Sequence, residues 1–365
     1  MNIGLIYTKF YPLTSSASVH GYQLVTNFKK LGYQVNTIGV GKNELTRDFP
    51  KSPSGIVNFY NNSDVIYIRL NPWLKNDWFT LIKLLSLGKK KIVWEVNSPS
   101  EEALANYDPS RIPLSVKKWV KTQNNKRKSL AKLCDLSISV SEALQKDMKE
   151  RFKVQNSHYI PNGSDPELFK PKVKDENNPL AGMTAGKFVV VWAGNAAFKW
   201  QGTSLIGEVA AKMKGIDRDV VFLYISNVSI YNQVVLPNLI SLGEINYLKL
   251  PDFLNFADVA LCLYNRFNWS PIGFYNSPLK MYDFMAMELP IIGTNMGQIA
   301  EVIEDGKNGF LTSNSVNEII EQILFLKNNA EEREQIGKAA RNAIISKYNW
   351  KETARRTIQL IEDLF

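Results

Sequence analysis

Short apolar runs alternate with helical spacings twice along this chain, and that repetition constrains its fold more than any other feature. "NIGLIY" (2–7) reads as an apolar strand, and "SVHGYQLVTNFKKLG" (18–32) has apolar residues at helical spacing and closes on a glycine. "YQVNTIGV" (33–40) is strand again, so the unit is βαβ, with parallel strands and a right-handed crossover. "SDVIYIRL", "KKIVWEVN" and "CDLSISVS" continue the series, and "SHYIPNG" closes it near residue 163. The segment "DPELFKPKVKDENNPLAGMTAGK" (165–187) is rich in Pro, Gly, Asn and charge, as a linker is. A second alternation then runs through "FVVVWAG", a helix over 203–214, "VVFLYIS", "LISLGEI", a helix near 247–256, "VALCLY", the helix of "SPLKMYDFMAMELP", "PIIGT" and "AEVIEDG". The expected class is α/β, with two Rossmann-like domains (1–168 and 169–349) facing a central cleft, followed by a helix over 350–365. Ligands in such sheets bind outside the carboxyl ends of the strands, at the switch point in strand order.

A length of 365 residues fits two domains, and 45% hydrophobic with 22% charged residues excludes a disordered chain or a solenoid. No apolar run approaches the roughly 20 residues of a membrane span. "MNIGLIYTKF" reads as a first strand and not as a secretory signal, so a cytoplasmic protein is expected. Cys134 and Cys262 sit in apolar strand-like runs, where buried free thiols are expected. The net charge of +9 lies wholly in the first half: residues 1–170 hold 25 Lys and Arg against 14 Asp and Glu, and the rest holds 19 against 21. Clusters such as "LGKKK" (87–91) and "KKWVKTQNNKRKSLAK" (117–132) favour an anionic partner. The stretch "NPWLKNDWFTLIKLLSLGKKK" (71–91) fits an interfacial helix on an anionic membrane or a core-facing helix with solvated lysines. No recognition motif accompanies the charge, so nucleic acid is not expected as a partner.

Two segments carry the chemistry. In "SPLKMYDFMAMELP" (277–290), Ser277 is placed to cap a helix and Pro278 to begin it. The free amides of such a start bind phosphate, with Leu279 and Lys280 in the first turn and Asp283 one turn on, placed for sugar hydroxyls. An ordinary capped helix is the alternative. In "VVVWAGNAAFKWQG" (189–202), a strand leads into a loop with Gly194, Asn195, Lys199 and Gln201, and a second helix begins near Gly202. Two helix starts aimed at one crevice suit a diphosphate. "DRD" (217–219) imitates a metal-binding carboxylate pair but stands at a helix exit before a strand, and no metal site is expected. The loop "TKFYPLTSSASVHG" (8–21) brings Ser18 and His20 toward the first strand's end, and Arg69 closes "IYIRL".

Together, "HYIPNGSDPELF", "SPLKMYDFMAMELPIIGTNMGQIAEVIEDGKNGFL", "CDLSISVSEAL", "LISLGEINYLKLPDFLNFADVAL" and "IVWEVNSPSEE" resemble the retaining glycosyltransferases of family four, whose fold is GT-B. The resemblance implies sugar transfer from a nucleotide-sugar, UDP- or GDP-linked, to a glycan or lipid-linked acceptor in cell-surface polysaccharide or glycoconjugate synthesis, without metal or other cofactor. It implies a donor on the C-terminal domain, an acceptor on the N-terminal one, and a last helix crossing back to the N-terminal domain. The implied donor set is Gly194, Asn195, Lys199, Gln201, Gly243, Ile245, Ser277, Leu279, Lys280 and Asp283. Glu95, Asn97 and His20 are the catalytic candidates, and Ser18 and Arg69 the acceptor-side ones. The family's glutamate pair falls on Tyr275 and Asp283, and its Arg and Lys diphosphate clamp on Asn195 and Gln201. These departures leave Lys280 as the main cation, and they open the alternative of a catalytically weak glycosyltransferase-like subunit that binds a partner enzyme or a membrane.

Overall fold

The computed structural model describes residues 1–6, 10–227 and 236–365. The first sheet contains β1 (Asn2–Ile6), β2 (Gln34–Ile38), β3 (Arg47–Phe49), β4 (Val65–Leu70), β5 (Lys91–Val96), β6 (Leu136–Ser139) and β7 (Ser157–Tyr159). Their order is β3-β2-β1-β4-β5-β6-β7, and every pair is parallel. The second sheet contains β8 (Phe188–Ala193), β9 (Val220–Ile225), β10 (Leu239–Leu242), β11 (Val259–Cys262), β12 (Ile291–Thr294) and β13 (Phe310–Thr312). It runs β10-β9-β8-β11-β12-β13, again parallel. The expected class, two Rossmann-like α/β halves, holds.

Helices cover both faces of such sheets, so central strands are apolar on both sides. β8 and β9 are buried at every position, which is why "FVVVWA" and "VVFLYI" read as unbroken apolar runs. Strand order reverses at β1, between β2 and β4, and at β8, between β9 and β11. The two crevices face each other, because the loops that touch across the cleft all leave carboxyl ends of strands. Tyr247 N–H, after β10, donates to the Leu13 carbonyl, after β1 (3.1 Å). Tyr275 O–H, after β11, donates to Glu102 Oε2, after β5 (3.2 Å). Gln298 Nε2, after β12, donates to the Val140 carbonyl, after β6 (2.9 Å).

The chain passes between domains near Ser164, whose amide donates to the Tyr348 carbonyl and whose carbonyl accepts from Trp350 N–H, each at 3.0 Å. From there the helix Trp350–Glu362 lies against the helix Ser16–Lys30, and Ala354, Ile358 and Ile361 share a core with Leu24, Val25 and Phe28. Within "NPWLKNDWFTLIKLLSLGKKK", the helix Asn76–Ser86 buries Leu81, Ile82 and Leu85. Lys51 and Lys126 lie over the rings of Trp78 and Phe79. Trp73, Leu84 and Leu87 remain exposed. Among the described residues no helix is long and apolar enough to cross a membrane.

Candidate active site

At the second switch point, the loop after β8 and the helix Leu279–Ala286 converge on the Lys280 ammonium. Its Nζ donates to Gln201 Oε1 (2.7 Å) and lies 4.2 Å from the ring centre of Trp192 and 5.3 Å from that of Tyr264. Burial pushes this ammonium from 10.5 down to about 8, and no carboxylate is among the groups that act on it. Among the described residues this cation forms no ion pair, and its neighbours are an amide oxygen and two aromatic faces, an arrangement that favours an anion nearby. First-turn amides of a helix have no partners within it and add to the same field.

Gly194 and Gly202 make this approach possible. A Cβ at residue 194 would stand 2.6 Å from Gln201 Oε1 and 2.9 Å from Lys280 Nζ. Gly202 has φ +65 and would meet the Leu263 backbone at 3.0 Å, so it allows a 3₁₀ turn over Lys199–Gln201 to lead into the helix Thr203–Ile216. The two nearest atoms are ends of flexible side chains, and the third, Trp192 Cζ2 at 3.0 Å, needs to give by only a few tenths of an ångström. Gly194→Ala is therefore expected to fold normally by circular dichroism while displacing the Lys280 and Gln201 termini. For the nucleotide-sugar that the sequence resemblance implies, calorimetry should read about a tenfold loss of affinity, the worth of one weakened charge-assisted hydrogen bond.

The sequence reading of Ser277 is corrected. The helix begins at Leu279, and Pro278 stands at its cap without a side-chain hydrogen bond. Ser277 Oγ instead accepts from Asn162 N–H (3.0 Å), and its carbonyl accepts from Asn162 Nδ2 (2.9 Å). The serine is drawn to the other domain's "IPNG" turn and fixes the two halves together. Asp283 is nearly fully buried, and its Oδ1 accepts from Ser164 Oγ (2.6 Å) and Tyr247 O–H (3.2 Å). Burial pushes its carboxyl up to about 8, against the opposing pull of those two hydroxyls. Tyr275, at the family's other acidic position, is buried and turned to Glu102, whose carboxyl burial also raises.

Of the remaining donor-side residues, Asn195 Oδ1 accepts from Ala197 N–H (3.0 Å) and so shapes its own loop. Lys199 is exposed, with its carbonyl held by Asn265 Nδ2 (2.9 Å), so its side chain does not join Lys280. Gly243 is exposed and Ile245 half-buried, just before the turn that carries Tyr247. Asp217 and Asp219 face Lys327 and Lys187, which accounts for "DRD" by ion pairs.

Across the cleft, Glu95 ends β5 in a closed cluster. Its Oε2 accepts from Tyr67 O–H (2.9 Å), and Asn97 Nδ2, His20 Nε2 (3.1 Å) and Arg69 Nη1 (3.5 Å) approach its Oε1. Burial alone would raise this carboxyl, but His20, Arg69 and Asn97 outweigh it and hold it at about 2. Glu95, a catalytic candidate from the sequence, is thus a buried, ionised group with both oxygens engaged. What it anchors is the acceptor-side set itself. His20 lies in the second turn of its helix, not at the start, with its ring edge-on to Trp350 at 5.1 Å. Ser18 is fully buried and forms a capping box with Ser15. Thr8 and Lys9, at the start of the loop ahead of them, lie outside the described residues.

Comparison with known proteins places this geometry. Residues 229–343 match the family model described as glycosyl transferases group 1. Residues 229–343 are thus similar to a group 1 glycosyltransferase domain. Spore coat protein SA of Bacillus subtilis is 37% identical over 83 residues, 22% of this chain and 22% of that protein. A probable sucrose-phosphate synthase of Thermosipho melanesiensis is 32% identical over 84 residues, 23% of this chain and 19% of that one. The matched segment therefore spans less than a quarter of either relative. Over the whole chain the likeness is one of fold. A sucrose-phosphate synthase from Thermosynechococcus elongatus superposes with TM-score 0.74 at 14% identity, covering 100% of this chain and 99% of the other. HepE of Anabaena, solved in complex with UDP and glucose, gives 0.73 at 14% identity and covers 100% of both chains. The two-sheet architecture of this chain is thus GT-B.

The matched segment holds Lys280, Asp283 and Ser277 together with their neighbours Tyr247 and Tyr264, while Trp192, Gln201 and Ser164 come from outside it. Trp192, Tyr264, Ser164 and Tyr247 escaped the sequence reading. Trp192 and Tyr264 stand in or just after apolar strands, where only their place beside the glycine loop hints at a role. Ser164 follows the "PNG" turn on the far side of the linker.

Proposed function

We propose that the chain is a retaining, metal-independent glycosyltransferase that moves a sugar from a nucleotide-sugar to a glycan or lipid-linked acceptor in cell-surface polysaccharide or glycoconjugate synthesis. The observation that carries this reading is the Lys280 ammonium, which has amide and aromatic neighbours and, among the described residues, no carboxylate partner. A donor diphosphate would supply the missing negative charge, with Lys280 and the amides of Leu279 and Lys280 as its ligands. Asp283 then serves the ribose, the backbone at Gly243 to Ile245 the base, and the loop from Asn195 to Gly202 the sugar. The ligands observed in complexes of HepE, UDP and glucose, fit the same donor class.

In the proposed reaction, the acceptor hydroxyl oxygen bonds to the anomeric carbon on the face from which the diphosphate leaves. The carbon–oxygen bond to the diphosphate breaks, and a phosphate oxygen receives the hydroxyl proton. The protein's part is to stabilise the departing charge, which Lys280 does without a metal, and to present the acceptor's reacting hydroxyl near His20, Arg69 and Asn97. Work at the inner face of an anionic membrane suits the exposed Trp73, Leu84 and Leu87 beside the lysines of the N-terminal domain.

A second reading, a binding subunit with little turnover, is favoured by Asn195 and Gln201 standing where the resemblance implies cations. One experiment separates the two. The protein is incubated with UDP-, GDP-, ADP- and dTDP-sugars in EDTA, with thermal unfolding and product formation followed together and the product anomer read by NMR. Stabilisation by one donor with slow sugar release or transfer and retained configuration is the expected result. No response to any donor overturns the enzyme reading, and an inverted product overturns retention.

A further inference from the structure

A groove of about 600 Å³ opens between the N-terminal helix Leu114–Ala131 and the loop after β11, lined by Lys117, Lys121, Asn124 and Lys128 on one side and by Trp269 and Ser270 on the other. The four helix residues stand at relative positions 0, 4, 7 and 11, which at 3.6 residues per turn places them within about 60° of arc. They form one continuous polar wall, and its three charges are all positive.

Glu101 is the acid among the lining residues, and Arg151, which also pairs with Asp147 (2.7 Å), already engages it. Its Oε1 accepts from Arg151 Nη1 (2.6 Å) and Asn124 Nδ2 (2.8 Å). The three lysines have no ion-pair partner among the described residues. Asn124 Oδ1 and Ser270 Oγ, one on each wall, are buried and have no hydrogen-bond partner. An orphaned acceptor and an orphaned hydroxyl facing one groove suit a ligand rich in hydroxyl groups. Trp269 is held against Phe267 (ring centres 5.0 Å apart, 23°) and edge-on to Tyr275, which fixes its plane. A fixed indole face is the surface on which the C–H face of a pyranose rests.

The groove also adjoins the donor loop. Asn265, at the start of the segment carrying Trp269, donates through its amide to the Trp200 carbonyl (2.9 Å) and through Nδ2 to the Lys199 carbonyl (2.9 Å). A ligand here therefore lies beside the loop that leads to Lys280.

We infer that this groove binds the acceptor, and that the acceptor is an anionic saccharide, its charge a uronate carboxylate or a phosphate ester. The inference rests on the glycosyltransferase reading only for the word acceptor; the binding preference stands by itself. The test uses one disaccharide in three forms: cellobiose, its terminal uronic acid and its 6-phosphate. Each is titrated into the protein without donor, at low and at high salt. The expected result is at least tenfold tighter binding of a charged form than of cellobiose, lost at high salt, with the two charged forms telling carboxylate from phosphate. The exposed-lysine variant K117Q/K121Q/K128Q should lose tenfold or more for the charged forms and keep its thermal response to nucleotide-sugar. Equal binding of all three forms, no binding of any, or an unchanged charge preference in the variant overturns the inference. A protein that binds the charged disaccharide but no nucleotide-sugar overturns the glycosyltransferase reading instead.

Discussion

Replacement of Lys280 by methionine is expected to weaken nucleotide-sugar binding about 30- to 100-fold and, at the same time, to raise the midpoint of thermal unfolding. Methionine keeps the length and the contacts with Trp192 and Tyr264 but removes the charge. Loss of a charge-assisted contact to a diphosphate is worth about 2 kcal/mol or more, some 30- to 100-fold in affinity. The stability effect has the opposite sign because burial holds the ammonium at about 8 instead of 10.5. The folded state thus binds this proton less readily than the unfolded chain does. Below about pH 8 the fold bears the full cost of the buried charge, and between about 8 and 10.5 that cost disappears as the unfolded chain retains the proton alone. A depression of this size corresponds to at most about 3 kcal/mol, and less for a residue that is only half-buried. The variant should therefore be the more stable protein at pH 7, and its advantage should shrink above pH 8. Donor binding to the native protein should weaken over the same interval, as Lys280 loses its proton. Unchanged donor affinity in calorimetry sinks the assignment of Lys280. A variant less stable than the native chain at pH 7 sinks the account of its burial.

How much of this was legible beforehand depends on the range of the interactions involved. "FVVVWAG" became β8 and the helix over 203–214 became Thr203–Ile216, because a strand buried on both faces and a helix with one apolar face leave periodic traces in their own sequence. β3 has three residues and is too short for any period. The helix near 247–256 proved to be a 3₁₀ turn over Tyr247–Lys249 running into Leu250–Leu254. Ser277 failed as a cap for a different reason: Asn162, 115 residues away, takes the hydroxyl that local rules assign to the helix. The surroundings of Glu95, a catalytic candidate from the sequence, were equally hidden. The residues that close around it come from β4 and from the helix Ser16–Lys30, and only the assembled sheet brings them together. Local chemistry was legible at Lys280 and Gly194, where glycine, lysine and helix start lie in short segments. What stayed hidden is the state of each group, which tertiary burial decides.

Asp283→Asn is expected to change the pH dependence of stability more than any other single substitution at the site. Burial holds the native carboxyl at about 8, far above the ordinary 3.8, so the folded state keeps a proton that the unfolded chain releases. A raised acid stabilises the fold fully below about pH 4, and that contribution is lost as pH rises through about 8. At pH 7 the native chain has already lost about 4 kcal/mol relative to pH 4. Asparagine cannot ionise, and its carbonyl can still accept from Ser164 Oγ and Tyr247 O–H. The midpoint of the native protein should therefore fall between pH 5 and 8.5 relative to that of the variant, with the curves converging at the acid end. Parallel curves would exclude a protonated Asp283. The same substitution is expected to weaken donor binding, since a neutral amide is the poorer acceptor for ribose hydroxyls. Ser164 ties this effect to the domain junction. Its hydroxyl reaches Asp283 while its backbone pairs with Tyr348 and Trp350, so ionisation of Asp283 acts directly on the strand of chain that joins the two halves. Donor binding that needs the carboxylate must draw on that junction, and between about pH 5 and 7, where Lys280 keeps its proton, it should become tighter with pH in the native protein but remain flat in the variant.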